Sequence, residues 1–131
     1  MEYAAPALYW FAVAGAGGAC LKHWLTPETM LRELTPVAFR GGATLSPEGR
    51  WWGSYAAGAM NLGIFVNGVW VGLYGDRVAR QGHLLGTAAL FAGFAAAWAT
   101  QGHTTGMKNH RAQAVKVTCI GALILTGFLL Q

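Results

Sequence analysis

The chain has 131 residues, 54% of them hydrophobic and only 11% charged, with 19 glycines and a formal net charge of +4. So few charges cannot coat a water-soluble domain of this size. The basic residues sit in loops and at the ends of apolar runs, where they set membrane topology, so the positive charge needs no nucleic acid to explain it.

Four apolar runs, at about residues 4–24, 51–74, 82–101 and 113–130, approach the roughly 20 helical residues that cross a hydrocarbon core. Backbone groups in lipid must pair within the protein, and the runs lack the alternation of membrane strands, so helices are expected and not a barrel. The predicted fold is all-α: a single domain over 1–131, an integral membrane four-transmembrane-helix bundle with one short interfacial helix in the first loop. The opening residues carry Glu2, no basic stretch and no small-x-small cleavage site, so neither a secretory signal nor a transit peptide is expected.

Span one has Tyr9 and Trp10 near one interface and Lys22, His23 and Trp24 at the other. Its centre, Ala14-Gly15-Ala16-Gly17-Gly18-Ala19, lacks bulk, so a helix or a flat ligand can approach its backbone closely. In the first loop, Thr26-Pro27-Glu28 is a helix-start signal, predicting a short helix to about Leu34 that Thr35-Pro36 stops. Met30, Leu31 and Leu34 share one face of it, which suits the membrane interface or the bundle end. Arg40-Gly41-Gly42-Ala43 reads as a flexible turn, not a phosphate loop, because no Lys-Ser or Lys-Thr follows. Ser46-Pro47-Glu48 repeats the helix-start signal, so span two should begin there.

Gly53, Ala57, Asn61, Gly68, Gly72 and Gly75 recur on one face of span two, which predicts a packing seam, with Asn61 hydrogen-bonding to a neighbouring helix. Span three carries a matching stripe of Gly82, Gly86, Ala89, Gly93 and Ala97. The short loop 75–80 makes spans two and three antiparallel neighbours whose seams can meet. Leu84, Leu85, Leu90, Phe91, Phe94 and Trp98 are then expected to face lipid or another protein. Span four, apolar around most of its circumference, is expected on the lipid face or at a subunit contact. Cys20 and Cys119 fall at similar depth, either as a disulfide or as two small apolar residues.

Of the four histidines, only His23 and His110 lie near facing helix ends, which makes them the candidate cofactor-binding pair. His103 and His110 lack helical metal-site spacing, so no metal is expected. No carboxylate falls in the predicted bilayer core. That argues against a proton relay and removes paired-carboxylate catalysis. The chain is therefore not expected to be an enzyme.

Counting Lys and Arg puts Lys22, Arg32, Arg40, Arg50, Lys108, Arg111 and Lys116 on one side and Arg77 and Arg80 on the other. The positive-inside rule predicts loops one and three in the cytoplasm, matrix or stroma, with both termini on the less basic side. The membrane would be organellar (mitochondrial inner or thylakoid) or the bacterial inner membrane.

Thr26-Pro27-Glu28 in the first loop and Arg50-Trp51-Trp52-Gly53 at the entry to span two, in a four-span chain of this length, resemble the DoxX-like group and the ergosterol-biosynthesis scaffold proteins. The resemblance implies a non-catalytic membrane scaffold or accessory component. The expected function is an accessory subunit of a larger, energy-transducing membrane complex, with other integral membrane subunits and membrane lipids as partners and a lipid or pigment as the bound group. The alternative is a small enzyme or carrier for a sterol- or quinone-like substrate near Asn61, His23 and His110.

Overall fold

The computed structural model describes residues 3–106 and 109–131, which are helical almost throughout and contain no strand. Glu2, named among the opening residues, and Lys108, counted for topology, lie outside the described residues. Span one is Ala4–Leu25, span two Pro47–Tyr74, span three Arg77–Gln101 and span four His110–Leu130, each long and apolar enough to cross a membrane. Between spans one and two lie the expected short helix, Pro27–Leu34, and a 3-10 helix, Pro36–Gly42, where a flexible turn was expected.

Local chemistry sets the ends. Ser46 Oγ accepts the Gly49 N–H at 3.1 Å and starts span two, as its Ser-Pro-Glu signal predicts. Thr26, in contrast, makes no side-chain cap; its hydroxyl donates back to the Lys22 carbonyl at 3.0 Å and closes span one. Span three begins five residues before the expected 82, because Asp76 Oδ1 accepts the Ala79 N–H at 2.8 Å and caps a helix from Arg77. The basic loop 75–80 is thereby reduced to Gly75-Asp76, with Arg80 donating back to the Gly75 carbonyl at 3.1 Å. Trp51–Tyr55 forms one π-helical turn, in which the Ala56 N–H reaches the Trp51 carbonyl.

The core is Tyr9, Ala12, Val13, Leu84 and Ile124, with Phe65 and Val69 of span two, Phe91 of span three and Phe128 of span four packed against it. Spans pair as one with two and three with four, and the second pair shares the most extensive packing. At several of the close contacts a glycine of one element receives a bulky side chain of another. A Cβ on Gly68 would lie 2.7 Å from Val13 Cγ2, one on Gly72 2.8 Å from the Tyr9 ring, and one on Gly53 2.8 Å from Leu31. Gly17 of span one receives Phe65, Gly121 of span four receives Phe91, and Gly127 receives Leu8 of span one with Leu84 of span three beside it.

This corrects three expectations. The seams of spans two and three do not meet: Gly53 faces the short helix Pro27–Leu34, Gly72 faces span one and Gly68 takes Val13 of span one and the His83 ring of span three, whereas Gly82, Gly86 and Gly93 have no atom within 4 Å of a Cβ position. Leu84 and Phe91 turn inward, and Leu84 is fully buried, because Gly121 and Gly127 make room for them. Span four does not lie wholly on the periphery. Ala114, Val117, Ile124 and Gly127, at spacings of three, seven and three, bury one of its faces.

Candidate functional site

A concavity of about 830 Å³ opens at the end where spans one and three finish and span four starts. Span one contributes Gly15, Gly18, Ala19 and Lys22, and span four contributes Gln113, Lys116, Val117 and Ile120. The short helix Pro27–Leu34 closes one side with Met30, Arg32, Glu33 and Leu34, and Trp98 comes from span three. Gly15 and Gly18 have nothing within 4 Å of a Cβ position, so this stretch of span one leaves an open channel along its backbone. From Lys22 back to Gly15 the helix descends about 10 Å, at 1.5 Å per residue. The cleft is therefore basic at its mouth and apolar along its wall.

Among the described residues the one ion pair within 4 Å is Arg50 with Glu28, on the neighbouring surface. Lys22, Arg32 and Lys116 have no carboxylate at that range, although Glu33 lines the same cleft. The Arg32 guanidinium lies 4.4 Å from the centre of the buried Phe39 ring, which restrains it without neutralising it. Sequence reasoning counted these cations for topology alone. The signal that they form a group is that the polar face of the interfacial helix must lie over the span ends once Leu31 docks on Gly53.

The histidines have different neighbours. His23 is buried, and Ser54 Oγ donates to its carbonyl at 2.6 Å. That uses the hydroxyl's one proton, so at the 3.3 Å contact His23 Nδ1 is the donor. His110 opens span four against Gly102, with its ring 6.3 Å from that of His103. His23 and His110 thus each face another residue, and neither lines the cleft. Asn61 donates to the Ala57 carbonyl of its own helix at 2.9 Å, in place of the expected cross-helix bond. Asn67 makes that kind of bond instead, to His83 Nδ1 at 3.2 Å, beside a cavity of about 310 Å³ that Gly82 and Gly86 also line. Of the expected packing residues, Gly53, Gly68 and Gly72 make close contacts, Ala57 accepts from Asn61, and Gly82, Gly86 and Gly93 stay open.

Among the described residues no three His, Cys, Asp or Glu side chains gather at metal-binding distance. Both thiols are free, Cys20 buried and Cys119 exposed. No protein-family model, no curated protein and no solved structure matches the chain.

Proposed function

We propose that this chain is a non-catalytic accessory or scaffold subunit of a larger membrane complex, set in an organellar or bacterial inner membrane and contributing helix packing and lipid contacts. The observation that carries the reading is the outward stripe of span three. Gly82, Gly86, Ala89, Gly93 and Ala97 are all exposed, and the three glycines have open space where a Cβ would stand.

In a bilayer no hydrophobic force drives apolar helices together, so association depends on close packing through small residues and on cross-helix hydrogen bonds. The glycines of span two at Gly53, Gly68 and Gly72 each receive a large side chain. The stripe on span three has the same chemistry and no occupant, which suits a bulky-faced helix of another subunit. Energy transduction would then belong to the partner assembly.

Mild-detergent extraction followed by native gel separation and mass spectrometry tests this. The expected result is comigration with a large assembly that Gly86→Leu with Gly93→Leu abolishes, while thermal unfolding of the isolated chain is unchanged. Migration of the unaltered chain as a monomer or dimer overturns the reading.

A further inference from the structure

We infer that the basic cleft is a binding site for one anionic phospholipid, with its phosphate at Lys22, Arg32 and Lys116 and an acyl chain along the open backbone of span one at Gly15 and Gly18. The inference rests on the proposed function only for the placement of the chain in a bilayer, not for the partner helix.

Three cations share the mouth with a single carboxylate, Glu33, and none has a salt-bridge partner among the described residues. Unpaired cations lining one cleft from three separate elements suit a multivalent oxyanion. A guanidinium offers paired N–H donors to phosphate oxygens, and two ammonium groups add point charge. The Phe39 contact holds the Arg32 side chain near one position, so less rotamer freedom is lost on binding. Glu33 and Gln113 supply acceptors for headgroup hydroxyls, which favours a glycerol-bearing headgroup over a bare phosphate.

Below the mouth the lining is apolar, with Val117 and Ile120 facing the two open glycines, and this is what selects a lipid over a soluble phosphate. The mouth also lies at the basic end of the bundle. The positive-inside rule assigns that end to the side whose leaflet carries anionic lipids.

Native mass spectrometry of the purified full chain in detergent micelles tests the site, with dioleoylphosphatidylglycerol, dioleoylphosphatidylcholine and inorganic phosphate as probes. One phosphatidylglycerol should be retained in preference to phosphatidylcholine. The preference should fall about fivefold per cation removed in Lys22→Gln and Lys116→Gln, and persist in Arg77→Gln with Arg80→Gln at the other end. Gly18→Leu, which alters no charge and enters open space, should lower retention of either lipid while helicity by circular dichroism is kept.

Equal retention of both lipids, or equal loss in the two sets of charge variants, overturns the site in favour of diffuse charge. Binding of millimolar inorganic phosphate that competes with the lipid overturns it in favour of a soluble anion. Retention unaffected by Gly18→Leu overturns the placement of the acyl chain. Because binding is read on the isolated chain and assembly on the native gel, a chain that runs alone yet keeps its lipid fails only the subunit reading.

Discussion

Gly68 lies where spans one, two and three meet. Its carbonyl accepts the Tyr9 hydroxyl at 2.6 Å, and its missing side chain leaves room for Val13 Cγ2 and His83 Nε2 at 2.7 and 2.8 Å from where a Cβ would stand. Those neighbours come from two other helices, so neither can withdraw without opening the core. Gly68→Val should therefore cost about 1–3 kcal/mol by overpacking, read as a lower unfolding midpoint in micelles. Gly82→Ala, on the open stripe, should leave the midpoint unchanged or raise it; an equal loss at both positions would disprove the difference in packing. Tyr9→Phe removes the buried hydrogen bond alone and should cost about 1 kcal/mol, toward the lower end because interhelical bonds in membranes average ~0.6 kcal/mol.

At the level of elements, the four spans were legible in the sequence and their inward faces were not. Hydropathy locates a crossing because a bilayer demands an unbroken apolar run, and Ser46-Pro47-Glu48 marks a start because its cap is local. Which face turns inward is a different matter, since both the core and the lipid are apolar and periodicity no longer separates them. Leu84 reads like Leu85 by hydropathy, yet one is fully buried and the other half exposed. Part of the difference lies in Gly127, far later in the chain, against which Leu84 packs. The start of span three was missed for a simpler reason: Arg77 and Arg80 look like a polar loop until Asp76 is recognised as a cap. Asp76→Ala should cost about 1 kcal/mol and fray the first turn of span three, seen as faster amide exchange at Ala79 and Arg80. Unchanged exchange there would mean that packing against span four, not the cap, holds that end.

For the whole molecule, charge asymmetry and the cleft depend on one orientation. Lys22, Arg32, Arg40, Arg50, Arg111 and Lys116 sit at one end and Arg77 and Arg80 at the other, and the cleft mouth draws its cations from the larger group. A lipid site built on those side chains is useful only if that end faces the anionic leaflet, so the topology that the positive-inside rule predicts and the lipid chemistry must agree. Ala43 and Tyr3 are both exposed and mark opposite ends. In sealed, oriented vesicles carrying Cys20→Ala and Cys119→Ala, a membrane-impermeant maleimide added outside should react with Ala43→Cys only when the cytoplasmic, matrix or stromal face is outward. Tyr3→Cys should react only when that face is inward. The reversed pattern would turn the cleft toward the leaflet with fewer anionic lipids. The three cations would then lose their expected ligand, leaving the packing surface of span three as the part of the molecule that still points to a role.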